Sequence, residues 1–194
     1  MKVYTTDRSD ARASTARIKV GVADYAVADA GSTLVTSGLG SCVGIALSDV
    51  DAGVAGLAHA MLPTAGSDRD RQPTGDADGS GGDEDSAPGG DVRPSGAKYV
   101  DTSIPALVEE MVERGAARSR IEARLAGGSA MFDFTSSAGA VGERNITAAR
   151  ETLDRLGITL VASDVGGEHG RSLAFDASTN ELAIRRAHGE NRVI

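Results

Sequence analysis

The chain holds a single cysteine, Cys42, and three histidines, of which His59 follows it most closely. A thiol acts as a nucleophile in its thiolate form, and a neighbouring imidazole can take its proton or hold the thiolate as an ion pair. The residues between them bear on whether the two meet. Cys42-Val43-Gly44-Ile45-Ala46-Leu47 is apolar, Ser48 to Gly53 is a polar turn rich in Asp, and Val54 to Leu62 is apolar again up to Pro63. Two short apolar runs around such a turn predict a β-hairpin. With the turn at Asp49 to Ala52, Ser48 pairs with Gly53 and Cys42 falls directly opposite His59. Opposed residues have Cβ atoms about 4.5–5.5 Å apart, within reach for sulfur and imidazole. The rest of that face is small (Gly44, Ala46, Leu57 and Ala55), which predicts room for a substrate side chain.

The turn before the cysteine supports the same chemistry. In Ser37-Gly38-Leu39-Gly40-Ser41, the glycines let the backbone approach a ligand closely and adopt conformations other residues avoid. N–H groups around Ser41 and Cys42 can then face an oxyanion as a tetrahedral intermediate forms. Gly38, Gly40 and Ser41 are therefore candidate substrate and oxyanion residues. Thr36 carries a hydroxyl that can orient the imidazole. Against this stand plainer readings. A lone cysteine in an apolar run is more often a buried small hydrophobe, and a lone strand histidine is more often a satisfied core residue. Gly38-x-Gly40 is no dinucleotide fingerprint, because Val43 stands where the third glycine belongs. One cysteine excludes an internal disulfide and a cysteine-rich metal site, and His59, His169 and His188 have no zinc-ligand spacing. No metal and no cofactor are expected. His169 and His188 read as surface residues, and the glycines at 127, 128, 166, 167 and 170 read as tight turns.

The surrounding elements must hold this pair. A chain of 194 residues, 40% hydrophobic and 25% charged, is of ordinary globular composition and suits one domain. It has no apolar run of membrane-spanning length and no secretory stretch at its start, so the cytoplasm is the expected compartment. The net charge is −8, of which −6 falls between Ser67 and Asp91, so no broad basic face for nucleic acid is expected. Residues 1–16 read as a flexible tail and 17–194 as a single domain. That domain is interrupted by a disordered acidic insertion over 64–96, too poor in apolar residues to offset its ordering entropy. Strands are expected at Ile18 to Val22, Thr33 to Thr36, the hairpin, Ile121 to Leu125, Ile158 to Ala162, Ser172 to Phe175 and Glu181 to Ile184. A helix capped by Asp101 or Ser103 runs to about Arg114 with Ile104, Leu107, Val108 and Met111 on one stripe, and Gly115 stops it. A second spans Asn145 to Leu156, ended by Gly157. About seven strands and two or three helices, not in strict alternation, predict an α+β fold with a mostly antiparallel sheet.

Together these residues resemble a known family. Thr36-x-Gly38-Leu39-Gly40-Ser41-Cys42-Val43, then Ala58-His59-Ala60-Met61-Leu62-Pro63, looks like the signature of CheD, the chemoreceptor glutamine deamidase. Lys98-Tyr99-Val100-Asp101, Gly127-Gly128-Ser129-Ala130-Met131-Phe132, Gly142-Glu143-Arg144-Asn145, Asp164-Val165-Gly166-Gly167 and Gly170-Arg171 follow in the family's order. The likeness covers about 17 to 186; the long segment after Pro63 departs from the family's usual short connection. The resemblance implies Cys42 as nucleophile, His59 as its histidine and Thr36 as the third active-site residue. It implies a layered α/β sandwich similar to the catalytic domain of cytotoxic necrotizing factor toxins. The implied substrates are glutamines on the cytoplasmic helical region of chemotaxis receptors, and the implied partner is a CheC-type phosphatase of phosphorylated CheY. The alternative is a non-catalytic docking module that regulates such a phosphatase. Transglutamination is a third possibility, since an amine can attack the same thioester.

Overall fold

The computed structural model describes residues 16–66, 95–130 and 141–194. In chain order the elements are β1 (Ala16–Lys19), β2 (Asp24–Asp29), β3 (Ser32–Leu39), β4 (Val43–Asp49), β5 (Val54–Ala60), α1 (Val100–Glu113), β6 (Glu122–Gly127), α2 (Val141–Arg155), β7 (Thr159–Val165), β8 (Arg171–Asp176), β9 (Leu182–Arg186) and β10 (Arg192–Val193). The tail over 1–15 and most of the acidic segment, 67–94, lie outside the described residues, as do Met131 and Phe132.

The strands form two five-stranded sheets, ordered β1-β3-β8-β9-β10 and β2-β5-β4-β6-β7. Only β1 with β3 and β6 with β7 pair parallel; the other ladders are antiparallel. This is the expected α+β class, with more strands than expected. The additional ones are β2 and the two-residue β10. β2 reads Asp-Tyr-Ala-Val-Ala-Asp, short and acid-flanked; paired with β5, it sends Val27 into the core beneath the helices and Ala26 and Ala28 into the core between the sheets.

The two sheets pack face to face, and α1 and α2 cover the outer face of the second. Every residue of β4 and β5 is buried. That explains their continuous apolar runs, since a strand covered on both faces has no polar side. Val43, Ile45 and Leu47 meet Ile104, Leu107 and Leu153 beneath the helices. Ala46 and Leu57 face the other sheet and meet Leu34, Leu39, Leu173 and Phe175. Each large side chain buried in this way contributes about 2 kcal/mol.

The smallness of the β4 face therefore has another cause than the one expected. A Cβ on Gly44 would lie 2.4 Å from a Leu173 methyl and 3.2 Å from one on Leu39. Gly44, Ala46, Ala55 and Leu57 make room for the facing sheet, not for a substrate.

The stripe of α1 falls as expected, with Ile104, Leu107, Val108 and Met111 all fully buried. The start of α1 differs. Its cap position is Tyr99, without a side-chain cap bond. Asp101 lies inside the first turn, where its carboxylate accepts the Ala65 N–H, and the Ser103 hydroxyl donates to the Val100 carbonyl. Both margins of the segment read as disordered thus carry structure, since Ser95–Lys98 forms a 3-10 turn. Helix α2 begins at Val141, four residues earlier than expected, because its first turn packs against the Gly127–Ser129 turn.

Candidate active site

The β4–β5 hairpin forms, but its register is not the one expected. Asp49 pairs with Val54, and Gly44, not Cys42, stands opposite His59. The turn has moved along by one residue. The Asp49 carboxylate accepts the Ala52 N–H, Gly53 donates to the Val50 carbonyl, and Gly53 takes the left-handed conformation (φ 64°) that closes the loop. Moving the turn by one shifts the pairing by two, and two is the period of a strand, so both side chains keep the expected face. Cys42 lies just before β4 and diagonally across from His59, a Cβ spacing of about 7 Å.

Thr36 enters from the opposite sheet. Its Oγ1 lies 2.8 Å from His59 Nδ1, and both residues are buried. That bond fixes the ring plane and occupies Nδ1. His59 Nε2 is buried with no partner among the described residues. Burial disfavours the imidazolium and lowers the His59 pKa to about 4, so the ring is neutral near pH 7. Burial likewise pushes the Cys42 thiol up, and its own backbone N–H, lying against the sulfur, works in the opposite direction. The resting pair is therefore a half-buried thiol and a neutral imidazole, not an ion pair.

The nucleophile turn is pinned by its carbonyls. Gly40 O accepts the Ser129 N–H, Ser41 O accepts Asn145 Nδ2, and Cys42 O accepts the Gly128 N–H, at 2.8 Å in each case. Across a trans peptide the C=O of one residue and the N–H of the next point in opposite directions. Turning the Gly40 and Ser41 carbonyls toward these partners therefore turns the Ser41 and Cys42 N–H groups away from them, and the Cys42 N–H lies against its own sulfur. Among the described residues neither N–H has a backbone acceptor outside the strand ladders. Gly38, in the left-handed region (φ 80°), sits where the β3–β8 register breaks between Ser37 and Leu39. The structure thus brings Thr36 and His59 into contact and sets Cys42 on the same inter-sheet face one diagonal away, while Gly38, Gly40 and Ser41 make up the turn that leads into Cys42.

Several supporting residues appear in the sequence only as family motifs or tight turns. Gly127 and Gly128 are more than tight turns. A Cβ on Gly127 would lie 2.4 Å from the Cys42 carbonyl oxygen, and one on Gly128 2.5 Å from Ile146. The Ser129 hydroxyl donates to the His169 carbonyl and accepts from Arg171, whose guanidinium is also bound to Asp164. Burial would raise the Asp164 pKa, but the hydrogen bonds from Arg186 and Arg171 outweigh it and hold the carboxyl below its usual range. His188 is exposed as expected; His169 is half-buried. The signal for the supporting set was present as polar residues beside paired glycines, but nothing local tied them to position 42.

A groove of about 670 Å³ runs along the outer face of the first sheet between Lys19, Val35, Ala174, Arg185 and Val193, with Thr36 also in its lining. Among the described residues no three His, Cys, Asp or Glu side chains gather closely enough to hold a metal ion. None of their helices is long and apolar enough to cross a membrane.

A thiol, an imidazole with one free nitrogen, a hydroxyl holding the other nitrogen and outward N–H groups can together carry acyl transfer through a thioester. Comparison with known proteins gives this class a family. The family model described as CheD chemotactic sensory transduction matches residues 84–186. A protein of Haloarcula marismortui named "Probable chemoreceptor glutamine deamidase CheD" is 40% identical over 193 residues, 98% of each chain. Proteins of the same name from Natronomonas pharaonis and Pyrococcus horikoshii are 41% and 39% identical, over 92% and 91% of this chain and 93% and 96% of their own. The chain belongs to the CheD family. The family match begins at residue 84, after Thr36, Cys42 and His59; the relatives' alignments extend over most of the chain.

Proposed function

We propose that this protein hydrolyses glutamine side chains on chemotaxis receptors to glutamate, with Cys42 as nucleophile, His59 as proton carrier and Thr36 as the residue that orients it. The observation that carries this reading is the Thr36 hydroxyl on His59 Nδ1, reached from the other sheet, with Nε2 left open and Cys42 on the same face one diagonal away. Family membership and the relatives' names support the substrate class.

In this mechanism neutral His59 takes the Cys42 proton as the sulfur attacks the amide carbon of glutamine. The oxyanion rests on the Ser41 and Cys42 N–H groups. The imidazolium then protonates the departing amine, ammonia leaves, and a thioester remains. Water, deprotonated by neutral His59, hydrolyses it to the carboxylate. These steps call for no cofactor. Under the same proposal the protein works in the cytoplasm, on the receptors' helical region, and a CheC-type phosphatase is its binding partner.

The test is incubation of the purified protein with a receptor cytoplasmic fragment, followed by ammonia assay and peptide mass mapping. Deamidation adds about one dalton per site, whereas transglutamination joins chains or adds an amine. Cys42→Ala should abolish ammonia release and leave the melting temperature within a few degrees. Wild-type activity in that variant would end the proposal. Chemotactic cells carrying Cys42→Ala should fail to adapt; normal adaptation there would favour docking without chemistry.

A further inference from the structure

Asn145 has a role beyond filling the core. It is fully buried in α2, on the far side of the second sheet from Thr36. Its Nδ2 donates to the Ser41 carbonyl at 2.8 Å and to the Met61 carbonyl at 2.9 Å. Both partners are acceptors only, so the orientation of the amide is forced. Oδ1 is buried without a partner among the described residues. The side chain has spent its two donors on two loops and left its acceptor unsatisfied, an arrangement that costs stability.

The two carbonyls are not arbitrary. Ser41 O belongs to the peptide whose N–H is that of Cys42, so the bond from Asn145 sets where that N–H points. Met61 follows the strand that carries His59 and lies across the hairpin from Cys42. One amide therefore ties the nucleophile turn to the end of the histidine strand. The approach is possible because three backbones come unusually close. A Cβ on Gly142, in the first turn of α2, would lie 2.5 Å from Gly128 O, and Gly127 touches the Cys42 backbone. Helix α2 is thereby brought down onto the site with no side chain in between.

We propose that Asn145 is a positioning residue for the cysteine chemistry, fixing the aim of the Cys42 N–H and the separation of Cys42 from His59. This rests on the deamidase reading for its substrate but not for its geometry. A residue that only packs would lower stability and leave the chemical step alone. A residue that aims an oxyanion donor lowers kcat and spares KM.

The experiment uses the full chain with Asn145→Ala, assayed on receptor fragment for kcat and KM. It also measures iodoacetamide alkylation of Cys42 against pH, in the wild-type and His59→Ala backgrounds. The expected result is a loss in kcat of about a hundredfold, with KM changed by less than about threefold. Asn145→Ala should slow alkylation in the wild-type background and not slow it further in the His59→Ala background, because the coupling that Asn145 maintains is then absent. A kcat within about threefold of wild type in a folded variant would overturn the proposal, as would alkylation effects that simply multiply in the double variant. Should Asn145→Ala not fold, Asn145→Ser, which leaves one donor in the same space, is held to the same two criteria. If the wild-type protein released no ammonia from receptor while the alkylation coupling persisted, the deamidase reading would fall and the positioning role would stand.

Discussion

The two ends of β4 hold their buried titratable groups in opposite ways, although at the far end the neighbouring Ser48 hydroxyl is also buried without a partner among the described residues. At its far end the Asp49 carboxylate is buried and saturated. It accepts the Ala117 N–H at 2.7 Å, the Ala52 N–H at 3.2 Å and the Arg120 guanidinium through both oxygens. Burial alone would raise its pKa, yet the Arg120 and backbone hydrogen bonds hold it below the usual carboxylate range. At the near end His59 has one nitrogen held and the other left open, and the amide that ties the two loops has an orphaned oxygen. A folded protein ordinarily satisfies its buried polar atoms. Under the proposed mechanism that open imidazole nitrogen is the site that carries the proton.

This contrast can be broken or sharpened by measurement. The largest effect belongs to His59→Ala, which should cut deamidation by about a thousandfold while the protein stays folded. Retention of more than a tenth of the activity would show that the open nitrogen carries no proton. Next comes pH. The His59 imidazole is protonated near 6.5 when unfolded but only near 4 when folded. Between those values the unfolded chain binds more protons, so stability must fall as pH drops through that window, by about 3 kcal/mol in all. Chemical denaturation at pH 7 and pH 4 should show that loss in wild type and a correspondingly smaller one in His59→Ala. Equal losses would mean that the ring is not held neutral.

A smaller, opposite pattern is expected at the far end. Asp49→Asn should cost about 2 kcal/mol of stability, through its weakened bonds to Arg120 and Ala117, and leave kcat unchanged. A fall in kcat would join the two ends that the comparison separates. The least effect is expected of Thr36→Val, which keeps the shape and frees Nδ1. Activity should fall by about tenfold, with thermal stability lowered slightly. An unchanged rate would leave the hydroxyl a packing role.

The register of the hairpin shows how much of this was legible. Asp-rich polar residues between two apolar runs located the turn, but its closure depended on Gly53 taking a left-handed conformation and Asp49 capping the loop, and this moved the pairing by two. Parity survived, so the shared face of Cys42 and His59 was readable even though their direct opposition was not. Strand β2 was unreadable for another reason. Its three small apolar residues bury little by themselves, and they form a strand only because β5 offers them a ladder. The small face of β4 was legible as small but misleading as to purpose, because a facing sheet and a substrate pocket select the same residues.

Residue types and order by themselves settled the α+β class, the hairpin, the two helices with the stripe of α1, and the family signature around Thr36, Cys42 and His59. These follow from periodicity and turn chemistry, which act over a few residues. Only the tertiary structure decided that Thr36 reaches His59 from another sheet and that Asn145, more than a hundred residues along the chain, holds the cysteine turn. Contacts of that kind are made when layers pack, and the spacing along a chain does not encode which layer a side chain will meet.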